Sequence, residues 1–304
     1  IDTEKRYRVM IPDFQFVQLV VIGVGGTGSA VAIDLARLAY HCQENGLPVM
    51  MQLVGGDKVE PKNVGRQQFS AFEVGENKAA SMSRRLNLWL GLDITGTPRM
   101  LTEKTKLIFN DGRMKPLRII VGAVDNHKAR RAIAKIAQKS GAWWVDTGNG
   151  EFKGQVLIGN YPRGGIEITE DLALVNGLPS PAMQMPELLE EEDQPVLAFE
   201  DCALRIIRDE QSLNINRLMA TYAAQVAYDL IVKRELDYMA IHTSFRPPST
   251  TAVPVTRRTL ERCGEVKEVP GKYDPTTVDP EEFDNEEDFE QWLLDMEMEG
   301  EELP

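Results

Sequence analysis

Leu19-Val20-Val21-Ile22-Gly23-Val24-Gly25-Gly26-Thr27-Gly28-Ser29 is the stretch that decides the fold. Its apolar start reads as a buried strand, and the glycines turn the chain directly into a helix. Gly23 and Gly25 permit a sharp turn and let a ligand approach the backbone, while Gly28 permits close packing of helix on strand. Such a turn leaves bare backbone N–H groups at a helix N-terminus, where the helix dipole favours an anion. On its own a glycine pattern of this kind fits a dinucleotide or no ligand at all. The tandem Gly25-Gly26, followed by Thr27-Gly28-Ser29, is narrower, and the residues downstream give it meaning.

Strand and helix signals alternate from here. Residues 49–54 read as a second strand that ends at Gly55-Gly56-Asp57. Residues 76–90 have helical spacing, with Ala79, Met82, Leu86 and Leu90 on one stripe. A strand at 119–121 closes at Gly122, a helix follows over 126–139, and a strand at 143–145 closes at Asp146. This alternation predicts an α/β, Rossmann-like fold, with a mostly parallel sheet covered by helices on both faces. A longer β segment is expected at 152–158, and a surface crossover loop, rich in Pro and Glu, at about 160–211. A helix then runs over 212–233, with Leu213, Asn216, Met219, Ala220, Ala223 and Val226 on or near one face. Short strands are expected near 238–245 and 252–256. The expected organisation is an N-terminal extension over 1–16, one domain over 17–256, and an acidic C-terminal tail over 257–304, largely disordered beyond Lys272.

With 304 residues the chain can bury a full core. No apolar run reaches the roughly 18–20 residues that cross a bilayer, and the polar opening Ile1-Asp2-Thr3-Glu4-Lys5-Arg6 predicts no signal peptide. Cys42, Cys202 and Cys263 form no CxxC pair, which argues against a disulfide framework and against structural zinc, and points to a reducing cytoplasm. The formal charge of −13 belongs to the tail: fourteen of the 47 acids lie between Asp274 and Pro304, leaving 33 against 34 Lys and Arg elsewhere. That tail is unsuited to nucleic acid, and neither a nucleic-acid nor a membrane partner is expected.

Four motifs occur in order: the glycine turn; Asp57-Lys58-Val59-Glu60-Pro61-Lys62-Asn63-Val64-Gly65-Arg66-Gln67; Gly75-Glu76-Asn77-Lys78-Ala79; and Asp125-Asn126 with Arg130 one turn on. Together, over about residues 17–245, they make the chain resemble the ThiF/MoeB/ubiquitin-activating-enzyme family. The resemblance implies adenylation of the C-terminal carboxylate of a ubiquitin-like or sulfur-carrier-like protein ending in Gly-Gly, with ATP and Mg²⁺, by a homodimer. The residue types suit that chemistry. The nucleophile is already ionised, so positioning and charge neutralisation do most of the work. Arg66 and Lys78 would neutralise phosphate charge, Asn63 and Gln67 would add uncharged hydrogen bonds, and Asp125, beside Asn126, would hold Mg²⁺. Taken singly, Arg66 and Lys78 also read as surface charges, and Asp125 as a helix N-cap.

One position departs from the family pattern. Relatives usually carry Asp-x-Asp after the second strand, the first acid contacting the ribose, and here that position is Gly55. Asp57 matches the second acid and is open to a structural role or to a substitute ribose contact. The lost charged hydrogen bond is worth about 1.5–3 kcal/mol of nucleotide binding. A catalytically weak or inactive nucleotide-binding scaffold of the same fold is therefore the alternative reading. A nicotinamide-dependent oxidoreductase fits poorly, because the nearest acid, Asp57, lies about 30 residues beyond Gly28 rather than about 20.

Many relatives pass the activated carbonyl to a cysteine. Cys202, in Glu200-Asp201-Cys202-Ala203-Leu204 before the long helix, is the candidate acceptor for a thioester. This half of the chain looks most like the ThiF-type proteins of bacterial PRTRC clusters. Cys42 reads as incidental, and Cys263 has no motif behind it. Arg6-Tyr7-Arg8 is similar to the arginine segment that some dimeric relatives donate into the partner's site, at a shorter spacing. In the tail, Phe289, Trp292, Leu293 and Met296 fall on one helix face, which suggests a segment that folds against a partner such as a conjugating enzyme.

Overall fold

In the computed structural model, which describes residues 4–102, 105, 107, 114–190 and 213–269, the chain enters through a short strand, β1 (Arg8–Met10). It then forms β2 (Phe16–Ile22), buried at all seven positions, and α1 (Gly26–Glu44). Next come β3 (Val49–Val54), α2 (Lys78–Leu90), β4 (Thr95–Thr97), β5 (Pro116–Gly122), α3 (His127–Ser140), β6 (Trp143–Asn149) and β7 (Lys153–Gly159). β8 (Ile166–Thr169), β9 (Leu174–Val175) and the single turn α4 (Pro181–Gln184) precede the long α5 (Leu213–Tyr228). The chain continues through β10 (Glu235–Leu236), the hairpin β11 (Tyr238–Phe245) and β12 (Pro248–Pro254), α6 (Arg257–Glu261) and β13 (Val266–Val269).

The main sheet has eight strands in the order β12-β11-β7-β6-β5-β2-β3-β4. β4, β3, β2, β5 and β6 run parallel, and β7, β11 and β12 extend the sheet antiparallel. The path steps from β2 to β3 and β4 on one side, then crosses to β5 and β6 on the other. The order reverses at β2, so a crevice opens at the carboxyl ends of these strands. Side chains alternate between two cores. Leu19, Val21, Leu53, Ile119 and Val121 share one with α1, α2 and α5, while Val20, Ile22, Val54 and Ile120 pack with Trp144 and with Ile133 and Ala137 of α3. Both faces are covered, which is why the strands read as unbroken apolar runs. The predicted stripe on α2 is real: Ala79, Met82 and Leu86 are buried and Leu90 packs against them. Ile133 is fully buried, and truncating such a residue to Ala costs about 2–5 kcal/mol.

Two expectations change. First, residues 160–190 of the expected crossover loop hold β8, β9, α4 and a 3₁₀ turn over Pro186–Leu189. The rest of that stretch, 191–212, lies outside the described residues. Secondly, the ends of the domain do not stand apart. A second sheet, β10-β1-β9-β8-β13, takes β1 from the expected extension over 1–16 and β13 from the expected tail over 257–304. Tyr7, Val9 and Leu260 are buried there. Arg8 pairs with Glu235 at 3.6 Å and the Tyr7 hydroxyl donates to Glu170, so this arginine segment is taken up within its own chain. Strands of two to four residues are too short for a period-2 pattern to show in sequence. The acidic stretch carrying Phe289, Trp292, Leu293 and Met296 lies outside the described residues. Among the described residues, no helix is long and apolar enough to cross a membrane.

Candidate active site

A cavity of about 500 Å³ opens at the carboxyl ends of β2, β3, β5 and β6. Gly23, Gly25, Gly26, Asp57, Arg66, Gln67, Lys78, Asp125 and Asn126 all line it. Gly28 and Asn63 do not, and Cys202 lies outside the described residues. Gly28 serves packing instead, since a Cβ there would sit 1.8 Å from the Gly23 carbonyl oxygen. Gly23 itself has φ +86°, and a Cβ there would come within 2.3 Å of the Ala123 carbonyl oxygen. The two glycines thus press the β2 turn between α1 and the end of β5. Asn63 is buried and its Oδ1 accepts the Glu60 N–H at 2.9 Å, which folds the loop after β3. Its side-chain oxygen is thus used within its own loop, and Asn63 is not among the residues that line the cavity.

The basic side of the cavity is built by the loop between β3 and α2. Asn77 caps α2 by accepting the Ala80 N–H at 3.0 Å, and its Nδ2 donates to the Gly55 and Asp57 carbonyls at 2.8 and 3.0 Å. One side chain therefore starts the helix and fixes the end of β3. Buried Glu73 accepts from the Ser81 hydroxyl, the Ser70 N–H and Arg85. Burial pushes its carboxyl up, but the Ser81 and Ser70 hydrogen bonds and Arg85 outweigh that and hold it below the ordinary range. The Gln68 N–H donates to Ser29 Oγ at 3.2 Å, tying the segment with Arg66 and Gln67 to the first turn of α1. Gln67 Oε1 is buried with no hydrogen-bond partner among the described residues. Lys78 lines the cavity at 8% exposure and makes no ion pair with an acid among the described residues. Glu60, whose carboxyl is lowered mainly by Lys62, feels Lys78 only as a lesser influence and is paired with Lys62 at 2.7 Å. A buried cation without a partner is costly unless a ligand supplies the negative charge.

Across the cavity, the helix cap of α3 is Asn126, whose Oδ1 accepts the Ala129 N–H at 2.8 Å. Asp125 is therefore not the cap, and its exposed carboxylate lines the cavity, with Asn126 Nδ2 at 3.3 Å. Arg130 does not line it. Its Nε lies 3.2 Å from Oδ1 of fully buried Asp146, fastening α3 to β6. Burial raises the Asp146 carboxyl to about 6, against the opposing pull of Arg130. At Gly55 there is room for a side chain, since an added Cβ would have its nearest neighbour, Val24 Cγ2, at 3.6 Å. Packing therefore does not require glycine at that position.

Asn149 and Asn216 complete the wall, and sequence reasoning had assigned them no role in the site. Asn216 Oδ1 accepts from Thr27 Oγ1 at 3.0 Å and from Asn149 Nδ2 at 2.5 Å. The available signal was a polar residue within the otherwise apolar stripe of the long helix. Cys42 is buried and Cys263 half-buried, and burial pushes both thiols up, away from reactivity.

A doubly wound sheet with an uncapped glycine turn and basic side chains at its switch point defines the class of α/β proteins that take a ligand at the carboxyl ends of their strands. Residues 13–233 match the ThiF family, and the chain belongs to that family. Among solved structures, E. coli MccB with ATP is 16% identical, with 80% of this chain and 65% of that chain covered and a TM-score of 0.51. E. coli MccB with succinimide is 17% identical over 79% of this chain and 64% of that one, with a TM-score of 0.50. PaaA is 14% identical over 80% of this chain and 65% of that one, also with a TM-score of 0.50. At these identities the likeness is one of fold, and the chain spans a little under two thirds of those proteins. No protein with a curated description matches the chain in sequence.

Proposed function

We propose that this protein uses Mg·ATP to adenylate a carboxylate, and that the carboxylate is the C-terminus of a ubiquitin-like or sulfur-carrier-like protein ending in Gly-Gly. The observation that carries the reading is Lys78, buried in the cavity beside the glycine turn with no acid partner among the described residues. ThiF membership and the ATP-bound form of MccB support a nucleotide as the anion. The triphosphate would lie along the bare N–H groups of the turn, with Lys78 and Arg66 on its charges and Gln67 and Asn126 as neutral partners. Asp57, two residues beyond Gly55 and also on the cavity wall, would substitute for the missing ribose acid. Asp125 suits Mg²⁺, an ion commonly held by one or two carboxylates together with substrate phosphates. Bound there, the ion supplies charge neutralisation for the phosphates.

In the first step a carboxylate oxygen attacks the α-phosphorus. The bond from that phosphorus to the bridging oxygen breaks, and pyrophosphate leaves with the electron pair. In the second, the Cys202 thiolate attacks the acyl carbon and AMP departs, leaving a thioester. The same reading includes a cytoplasmic homodimer and an acidic tail that docks a conjugating enzyme.

ATP–pyrophosphate exchange with carrier proteins ending in Gly-Gly tests the first step. Exchange that depends on the carrier, and falls about a hundredfold in Lys78→Ala, is the expected result. Absence of exchange with every such carrier overturns it. Gly55 favours a second reading, a nucleotide-binding scaffold without chemistry. Calorimetry separates the two: micromolar binding of Mg·ATP supports the enzyme, and no binding at millimolar nucleotide supports the scaffold.

A further inference from the structure

We propose that Asn216 is a nucleotide-binding residue, whose carboxamide N–H groups donate to a phosphate oxygen held at the glycine turn. The inference rests on the nucleotide reading above and adds to it a residue from the C-terminal half of the chain. Asn216 Oδ1 already receives two donors, Thr27 Oγ1 at 3.0 Å and Asn149 Nδ2 at 2.5 Å. Those bonds define which end of the amide is oxygen and leave Nδ2 as the free donor end. Nδ2 makes no hydrogen bond among the described residues, yet Asn216, Asn149 and Thr27 all line the cavity.

Gly26 supplies the second observation. A Cβ on Gly26 would lie 2.6 Å from Asn216 Nδ2. The second glycine of the tandem pair thus leaves space for the amide to come down onto the turn. Beside it, α1 begins at Gly25 with no side-chain cap, so backbone N–H groups and the Asn216 amide converge on one place. Convergent donors of both kinds suit an anionic oxygen. A purely structural tie between α5 and α1 would need only the oxygen of the amide.

Asn216→Asp separates these roles, because one carboxylate oxygen can still accept from Thr27 and Asn149 while the other replaces the donor with negative charge. Titration calorimetry with Mg·ATP, alongside thermal unfolding, is the experiment. The expected result is affinity at least about tenfold weaker than wild type, with unfolding little changed. Equal affinity in N216D and wild type overturns the assignment of Asn216 alone. A wild type that binds no Mg·ATP overturns the nucleotide reading and this inference with it. Should N216D fail to fold, Asn216→Ser, which lacks the amide donor, is read the same way: affinity at least about threefold weaker supports the proposal, and wild-type affinity overturns it.

Discussion

Three strand-to-helix turns meet at the cavity, and they begin their helices in two different ways. α2 and α3 start from asparagine caps, Asn77 and Asn126, each of which satisfies a backbone N–H of the first turn. α1 starts from Gly25 with no side-chain cap. Capped turns present side chains to the cavity, Lys78 from one and Asp125 from the other, on helices whose first turns each have an N–H already taken by the cap. The uncapped turn presents its own backbone. Charge is thus carried by two turns and the bare anion-binding donors by the third, a division that lets each helix end be optimised for one task.

Breaking the uncapped turn should have the largest effect. Gly28→Ala puts a Cβ 1.8 Å from the Gly23 carbonyl oxygen, and unfolding in urea should show a loss of about 3 kcal/mol or more. Unchanged stability would mean that α1 does not depend on this contact. Next is the strut behind the Asp125 turn, the Arg130–Asp146 pair. The Asp146 carboxyl is raised by burial to about 6, so the folded state holds its proton more tightly than the unfolded chain does. Wild-type stability should therefore fall as pH rises from about 4 to about 6, by something on the order of 2 kcal/mol from this group. Asp146→Asn removes that component, so the difference between the two stability curves should change across this window and stay level above it. A difference that is level throughout rules the group out.

Asn126→Ala should cost about 1 kcal/mol in chemical denaturation, the ordinary value of a cap. Mg·ATP should bind more weakly as well, since Asn126 lines the cavity as a proposed neutral partner of the phosphates, and unchanged affinity would confine its side chain to capping α3. The smallest effect on folding is expected at Gly25→Ser. A Cβ there meets nothing within 4 Å among the described residues, so stability should move by only a few tenths of a kcal/mol. Mg·ATP binding should nonetheless weaken, because the new side chain competes for the N–H groups of α1. Retained binding would show that the bare turn is not where the anion sits.

Much of the main sheet was legible because its signals are local. An unbroken apolar run such as residues 17–22 ends in glycines whose sterics allow little else, and the stripe on α2 repeats at helical period. Gly23, Gly25, Asp57 and Asp125 line the cavity from the turns that follow β2, β3 and β5, whereas Arg66, Gln67 and Lys78 reach it from the long β3–α2 loop and the start of α2, and only their motif spacing pointed to them. Asn63 was legible only as a motif position, and its side chain went to its own loop. Arg130 was read with the Asp125 motif and turned out to serve Asp146. The small sheet escaped notice because β1, β9 and β10 are two or three residues long and their partners lie far away in sequence.

The sequence by itself determined where the backbone turns, which faces are apolar and which charged residues stand at strand ends, because these follow from sterics and periodicity over a few residues. Only the tertiary structure decided that Asn216 and Asn149 share the cavity with the glycine turn, that Lys78 is buried there, and that both flanks of the domain join one small sheet. Those outcomes depend on which distant segments meet, and pairing across a hundred or more residues leaves no local pattern to read.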